Sequence, residues 1–319
     1  MKVIFWGTRG SLPVALTAAD VRSKVIAALT AAQGRQLPDS AALSAFVDSL
    51  PFVSRGTFGG NSSCVEIVGG GSEHLLCDLG SGVRPLGQSK IATYGPARPQ
   101  LYHVFLSHLH WDHLMGFPFF VPAYIPGNRI VIHGCHQGLE DAVRLQFGIP
   151  CFPVDFGTLG ANIEFDVMTP DEPREIAGFT VTPKLQLHGG DSFGYRFERF
   201  GKTVVYSTDS EHKLDNAQER QKFVDFFRNA DLVIFDAMYS LAEAVSVKAD
   251  WGHSSNVVGV ELCQAAGARR LALFHHEPVN DDGRLALLLE ETRRFEEITR
   301  ENLAPLDIIS AYDGLTVDL

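Results

Sequence analysis

The feature that most constrains the fold is a cluster of metal-binding side chains directly after an apolar segment. Residues 101–106 form the segment, and residues 107–113 read S-H-L-H-W-D-H. The candidate ligands there are His108, His110, Asp112 and His113. Three imidazoles and a carboxylate at one strand end would repel each other or go unsatisfied without a cation. Because the H-x-H-x-D-H spacing can aim two pairs of these donors at adjacent ions, the pattern predicts a two-metal hydrolase.

The composition is that of a globular protein. The chain has 319 residues, of which 45% are hydrophobic and 20% charged, with 30 Gly and 16 Pro. These proportions are typical of a soluble domain with many turns. No apolar run approaches the roughly 20 residues that a membrane helix needs, and the first ten residues do not resemble a signal peptide. We therefore expect a cytoplasmic protein with no membrane partner.

Charge and cysteine usage exclude several function classes. The net charge of −11 and the pI near 5.5 disfavour sequence-independent nucleic-acid binding, because that binding depends on Lys and Arg neutralising phosphates. The five cysteines are scattered and form no C-x-x-C pair, which argues against a zinc knuckle or a redox motif. We expect any anionic substrate to be held locally, by the metals.

Apolar patterning predicts alternating strands and helices. Strands are predicted at residues 2–6, 63–68, 74–77, 101–106 and 130–133, where short apolar runs are bounded by turn residues. Helices are predicted at residues 18–32, 40–50, 138–147, 218–229, 255–266 and 285–300, several with apolar residues three to four apart. Strands interrupted by helices indicate α/β layers packed around sheets.

More metal-binding side chains follow later apolar runs. His188 follows residues 181–187, Asp209 follows the run 203–206 closely, and the pair His275 and His276 follows residues 271–274. Side chains at the ends of different strands can converge at one edge of a sheet. These residues are candidates for the donors that two metal sites need beyond the first cluster.

Seven motifs in a fixed order resemble the metallo-β-lactamase fold superfamily, in its ribonuclease Z and phosphodiesterase branch. They are F-W-G-T-R-G-S at 5–11 with G-G-N-S-S-C at 59–64, C-D-L-G-S-G at 77–82, the cluster at 107–113, H-G-G at 188–190, Y-S-T-D at 206–209, G-H-S-S at 252–255 and L-F-H-H-E-P at 273–278. The resemblance implies an α/β fold, a four-layer αββα sandwich. It covers nearly all of the chain apart from residues 14–55. Composition favours one domain over residues 1–319, and the Ala-rich, helical texture of the segment 14–55 indicates a helical insertion or lid.

The resemblance also implies the metal ligands. His108, His110 and His188 would hold one metal, Asp112, His113 and His275 the other, and Asp209 would bridge both. For one of these ligands, His275 and His276 are alternatives, and we prefer His275 because it directly follows the strand. Asp78 resembles the aspartate that braces the metal loop. The donors favour two zinc ions, while ligand identity leaves manganese or iron open.

Two further residues resemble the proton-relay pair of the ribonuclease Z branch. Asp236 lies in F-D-A-M-Y, and His253 lies in G-H-S-S. The implied reaction is hydrolysis of a phosphodiester by a metal-bridging hydroxide, with His253 as general acid and Asp236 orienting it and raising its pKa. The alternative for His253 is a structural role beside the N-terminus of the helix predicted at 255–266.

The substrate is constrained by what the chain lacks. Only 21 positions separate His188 from Asp209, so the basic arm of the tRNA-processing members is missing, and we expect a small or cyclic phosphodiester rather than large structured RNA. The insertion and residues 117–120 could close over it, with Arg9, Arg55 or Arg84 at its phosphate. The alternatives are a thioester or lactam hydrolase and a non-catalytic, metal-bound ligand-binding module. The resemblance also suggests a homodimer.

Overall fold

The computed structural model describes residues 1–212, 216–239 and 252–319. Its strands are β1 (Lys2–Gly7), β2 (Cys64–Val68), β3 (His74–Cys77), β4 (Leu101–Phe105), β5 (Arg129–Gly134), β6 (Asn162–Val167), β7 (Arg174–Ile176), β8 (Phe179–Gln186), β9 (Ser192–Arg199), β10 (Lys202–Ser207), β11 (Leu232–Asp236), β12 (Arg270–Phe274), β13 (Asp307–Ser310) and β14 (Thr316–Asp318). Its helices are α1 (Ala18–Ala32), α2 (Ser40–Asp48), α3 (Phe52–Arg55), α4 (Val83–Tyr94), α5 (Trp111–Leu114), α6 (Leu139–Arg144), α7 (Ala217–Phe227), α8 (Asn256–Ala266) and α9 (Asp282–Thr299).

The strands form two sheets of seven. One has the order β14-β1-β2-β3-β4-β5-β6, and the other has the order β13-β12-β11-β10-β9-β8-β7. Strands β3 to β6 run parallel in the first sheet, and β10 to β13 run parallel in the second. Parallel strands place their carboxyl ends at one edge, which is where ligands bind in open α/β sheets.

An aromatic core joins the sheets. It includes Phe5 and Phe105 from the first sheet and Phe197, Tyr206 and Phe274 from the second, all fully buried. Two further apolar clusters fill the outer faces, one beneath α7 and α8 and the other beneath α4 and α6. Helices therefore cover both sheets, and the predicted αββα sandwich is confirmed.

The sequence did not predict α4, because it contains Pro85 and Gly87. Pro85 lies in the first turn of the helix, where its missing N–H would have had no intrahelical acceptor. Gly87 allows close packing, since a Cβ there would lie 2.9 Å from atoms of both Phe120 and Pro122. Both residues that usually break a helix are thus compatible with this one.

The segment 14–55 carries the predicted helices, of which α1 has the predicted bounds. A capping box of Thr17 and Asp20 begins α1. Lys24 attaches it to the rest of the chain, because its Nζ donates to the carbonyls of Val53 (2.6 Å) and Gly56 (2.9 Å) and to Asp282 Oδ2 (2.6 Å). Among the residues that the structure describes, no helix is both long and apolar enough to span a bilayer.

Candidate metal centre

The predicted metal ligands gather where strands of both sheets end. The cluster at 107–113 follows β4, and His188, Asp209 and His275 follow β8, β10 and β12. One group of donor atoms comes from His108, His110 and His188, and a second from Asp112, His113, Asp209 and His275. Within each group the donor atoms all lie within 4.8 Å of one another. The structure thus brings together all seven side chains that the sequence singled out.

Asp209 lies between the two groups. Its Oδ1 is 3.2 Å from Nε2 of both His113 and His275. Its Oδ2 faces the other way, 3.5 Å from His108 Nε2 and 3.8 Å from His188 Nε2. One carboxylate therefore presents an oxygen to each group, which is the geometry that a bridging ligand requires.

Hydrogen bonds orient two of the imidazoles toward the centre. His113 Nδ1 donates to Asp78 Oδ2 at 2.7 Å, and His188 Nδ1 donates to the Gly252 carbonyl at 2.7 Å. A proton fixed on Nδ1 leaves Nε2 with its lone pair, which is the form that binds a metal. The Nε2 atoms of both rings accordingly face Asp209.

Asp78 accepts several of the hydrogen bonds that hold this arrangement in place. Its fully buried carboxylate accepts hydrogen bonds from the Ser107 backbone N–H (2.8 Å), Ser107 Oγ (2.8 Å), Tyr206 OH (2.6 Å) and His113 Nδ1. Tyr206 belongs to the second sheet, whereas the other partners follow the first. The bracing role that the resemblance implied for Asp78 agrees with these contacts, and they fix the loop before any ligand is placed.

Three of the site residues have left-handed backbones. Asp78, Asp209 and His275 have φ values of 61°, 35° and 58°. Such conformations cost of order 1–3 kcal/mol each for non-glycine residues and persist only where surrounding contacts hold them. All three residues follow strand ends. There the left-handed backbone directs their side chains toward the centre, whereas an extended backbone would direct them elsewhere.

The donor set fits divalent metal ions. His108 Nε2 is buried and has no hydrogen-bond partner among the described residues, and an orphaned imidazole nitrogen is costly unless something binds it. Two pairs of ring nitrogens also converge, His110 Nδ1 with His188 Nε2 and His113 Nε2 with His275 Nε2, each at 3.2 Å. Imidazole nitrogens around a shared carboxylate suit zinc.

His276 turns away from the centre. Its Nε2 donates to the Ala311 carbonyl at 2.8 Å. Burial lowers the pKa of His276 to about 4, so the ring is neutral at pH 7. His275, in contrast, places Nε2 3.2 Å from Asp112 Oδ2. Of the two alternatives, His275 is therefore the one whose side chain joins the cluster.

Asp236 and His253 form a buried pair beside the cluster. His253 Nδ1 donates to Asp236 Oδ2 at 2.8 Å, and it lies 4.0 Å from Asp209 Oδ2. Burial by itself lowers the pKa of His253, but the Asp236, Asp209 and Asp112 carboxylates together outweigh that effect and raise the pKa to about 9, with Asp236 contributing most of the rise. The side chain of Ser255 caps α8 by accepting from Val258 N, so the capping role does not fall to His253.

Three arginines, Arg9, Arg55 and Arg84, were candidates for contact with the substrate phosphate. Arg9 is almost completely buried, and its guanidinium donates to the carbonyls of Gly59, Glu277 and Asn280, so it braces loops instead of facing a phosphate. Arg55 donates to the Leu50 carbonyl, and Arg84 is exposed on α4. The Arg55 hydrogen bond and the exposed position of Arg84 on α4 do not place either residue at the cluster.

Sequence reasoning missed three contributors. The Ser11 backbone N–H donates to Asp112 Oδ2 at 2.8 Å, and Tyr206 and Ser107 hold Asp78. All three stand inside motifs, at 5–11, 107–113 and 206–209, which was the available signal. Trp111, between two predicted ligands, is 75% exposed. In the segment 117–120, Phe117 and Phe120 are buried while Phe119 is exposed, so one aromatic ring of the expected wall reaches the surface.

Comparison with known proteins agrees with this geometry. The family model for the Beta-lactamase superfamily domain matches residues 75–276, which include all seven predicted ligands. Ribonuclease Z of Thermoplasma acidophilum is 22% identical over 271 aligned positions, covering 71% of this chain and 84% of that relative. The metallo-beta-lactamase fold protein YhfI from Bacillus subtilis has a TM-score of 0.64 at 19% identity, covering 99% of this chain and 98% of that chain.

A diphosphatase from the PhnP family has the same fold, with a TM-score of 0.59 at 18% identity and coverage of 100% of this chain and 97% of that one. The structural similarities concern the fold, and the family match rests on the segment that carries the ligands. The chain therefore belongs to the metallo-β-lactamase superfamily, in its ribonuclease Z and phosphodiesterase-like branch of metal-dependent hydrolases.

Proposed function

We propose that this protein is a dinuclear metal-dependent phosphodiesterase that acts on a small or cyclic phosphodiester. The observation that carries the proposal is the combination of seven donors around Asp209 with the pair formed by Asp236 and His253. Two divalent ions, with zinc favoured, would be held by the two donor groups described above. When bound, such ions activate water and neutralise charge on a phosphate.

His253 is proposed as the general acid. Its Nδ1 is occupied by Asp236, so Nε2 is the nitrogen that can give a proton to the leaving alkoxide. The Asp236 carboxylate raises the pKa of His253, which favours the protonated imidazole that a proton donor must be. Asp236 is itself held, since its carboxylate accepts from Ser210 N at 3.2 Å and Met238 N at 3.1 Å, which fixes the direction of the ring.

The shortness of one segment supports a small substrate. Between His188 and Asp209 the chain forms β9 and β10, which pair with each other through residues 195–206. This hairpin accounts for 14 of the intervening positions, leaving no room for a protruding RNA-binding arm. The net charge of −11 supports the same proposal, because a large RNA would be repelled. Thermoplasma acidophilum ribonuclease Z is named for an RNA substrate, so the proposed substrate separates this chain from that relative.

The decisive test varies the leaving group. In the His253→Asn variant, an amide N–H can still donate to Asp236, but no acidic proton remains. Hydrolysis of 2′,3′-cyclic nucleotides should fall by about 10²–10⁴-fold, the usual contribution of a general acid. Hydrolysis of bis(p-nitrophenyl) phosphate should fall far less, because p-nitrophenolate leaves without protonation. His103→Asn, at a histidine on β4 remote from the cluster, is the matched control.

Equal losses on both substrates with unchanged zinc content would contradict the acid role. The same panel includes a thioester and a lactam. If zinc-loaded wild-type protein hydrolyses one of these and no phosphodiester, the alternative hydrolase is correct. If it binds cyclic nucleotide without turnover, the protein is a ligand-binding module.

A further inference from the structure

His188 lies at the start of a turn that packing does not hold. It is the member of the first donor group that comes from the second sheet, because it follows β8, whereas His108 and His110 follow β4. The turn continues through Gly189 and Gly190, where a Cβ would meet no atom of the described residues within 4 Å, chain neighbours aside. Glycine also leaves the backbone free to adopt many conformations. Hydrogen bonds must therefore fix the turn, and with it the direction of the His188 ring.

The upstream side of this turn is tied to the second sheet. The Leu187 carbonyl accepts from Glu211 N at 2.8 Å, and the His188 carbonyl accepts from Asp191 N at 3.1 Å. Gly190 and Asp191 have left-handed backbones, with φ values of 82° and 62°. For a non-glycine residue such as Asp191 this conformation is disfavoured, and it persists only where surrounding contacts hold it. The downstream side of the turn therefore needs a partner of its own.

His136 is that partner, and it comes from the first sheet, where it follows β5. Its Nε2 lies 3.2 Å from the Gly190 carbonyl oxygen and 3.2 Å from the Asp191 carbonyl oxygen. Because carbonyls only accept, the proton is on Nε2, and one N–H is shared between the two oxygens. The ring packs edge-on against Phe193, with centroids 4.9 Å apart and an interplanar angle of 86°. A side chain of the first sheet thus holds a turn of the second.

We propose that His136 is a positioning residue for the predicted metal ligand His188, a role that rests on the proposed dinuclear centre. Two carbonyl oxygens that face one point repel each other unless a donor lies between them, and the His136 N–H is that donor. Strand β5 lies next to β4 in the first sheet, so the contact also fixes the distance between the ligands after β4 and His188. The donor group of His108, His110 and His188 should therefore depend on His136, whereas the other group should not.

The first test separates the donor from the ring. His136→Phe keeps an aromatic edge against Phe193 but removes the N–H, whereas His136→Gln keeps an N–H donor at a similar reach. In zinc competition against a chromogenic chelator, we expect His136→Phe to bind one ion as tightly as wild type and the other about tenfold more weakly. His136→Gln should restore most of that affinity. The matched control is His103→Phe, the same substitution at a ring that contacts His133 and Glu73, and it should bind both ions as wild type does.

The second test asks whether the effect passes through His188. His188→Ala removes the ring that the turn positions. If His136 acts only on that ring, adding His136→Phe to His188→Ala should change zinc affinity no further, because residues that act as one unit are not additive in a double-mutant cycle. A further loss of about tenfold in this background overturns the proposal, since His136 would then act on another ligand or on the fold as a whole.

The third test needs no metal. In metal-free protein, hydrogen exchange reports the amide of Asp191, which donates across the turn. We expect this amide to exchange about three- to tenfold faster in His136→Phe than in wild type or His136→Gln, the factor that follows from loss of one hydrogen bond. Unchanged exchange overturns the proposal, as do equal zinc losses in the Phe and Gln variants. A wild-type chain that binds no zinc but shows the exchange difference contradicts the proposed function and still supports His136 as the residue that holds the turn.

Discussion

Replacing Asp78 with Asn should weaken metal binding without unfolding the protein. Asn tolerates the left-handed φ of 61° at this position better than Ala does, so the backbone should be retained. The amide keeps one acceptor oxygen but substitutes an N–H donor for Oδ2, the atom that accepts from Ser107 Oγ, Tyr206 OH and His113 Nδ1. The hydroxyls can rotate to accept instead, whereas the imidazole can respond only by moving its proton.

That proton shift determines how much metal affinity the variant loses. If His113 accepts at Nδ1, its proton must move to Nε2, which lies 3.1 Å from Asp112 Oδ2 and 3.2 Å from Asp209 Oδ1. The proton would then occupy the direction in which a metal would bind. Loss of such an orienting partner costs about 10–100-fold in metal affinity, equivalent to about 1.4–2.8 kcal/mol at 1.4 kcal/mol per tenfold.

The assay is zinc competition against a chromogenic chelator, with bound zinc counted by mass spectrometry. Tyr206→Phe is the control, because it removes one donor from the same carboxylate but leaves the hydrogen bond from His113 in place. We expect Asp78→Asn to lose affinity and Tyr206→Phe to retain it. Asp78→Asn protein that binds two zinc ions as tightly as wild type would refute the tautomer argument.

Three further predictions concern metal removal, the exposed ring of Trp111 and the buried carboxylate of Glu66. Removing metal with a chelator should lower the midpoint of thermal unfolding by roughly 5 °C, because ions at a hundred times Kd stabilise the folded state by about 2.7 kcal/mol; an unchanged midpoint in calorimetry would mean that the centre is not occupied. Trp111→Ala should raise KM for substrates with aromatic leaving groups more than Trp111→Phe does, since this 75% exposed ring borders two predicted ligands; substrate analogues that leave tryptophan fluorescence unchanged would argue against contact. Burial raises the pKa of Glu66, but the opposing effect of His74, Lys90 and Trp6 is larger, so the pKa lies below its usual value. Stability from this carboxylate is therefore present above the unfolded pKa of about 4.3 and lost as the pH falls through the folded pKa. Denaturant titrations should show a shallower acid slope in Glu66→Gln, and an identical slope would contradict the assignment.

The residues that could be predicted are those whose role is encoded locally. The spacing of the donors at 107–113 was enough to predict the cluster, and α1 begins and ends where its composition and caps require. His188, Asp209 and His275 were found because each follows an apolar run. In all these cases the signal lies within a few neighbouring residues.

What could not be predicted depends on contacts between distant segments. Tyr206 donates to Asp78 across 128 positions, and Ser11 donates to Asp112 across 101. Neither contact leaves a periodic pattern. The helix α4 was missed because its tolerance of Gly87 depends on the ring of Phe120, which comes from another part of the chain. The assignment of residues 1–319 to one domain stays a prediction.

The segment that carries α1 leaves and rejoins the body at nearly the same point. Val14 N donates to the Gly60 carbonyl at 2.8 Å, so the two ends of the excursion are already clasped. We therefore expect that the length and surface of the excursion can change while the strand ends that carry the metal ligands keep their positions, provided that Thr8 and Arg9 keep their hydrogen bonds to the carbonyls of Phe58 and Gly59.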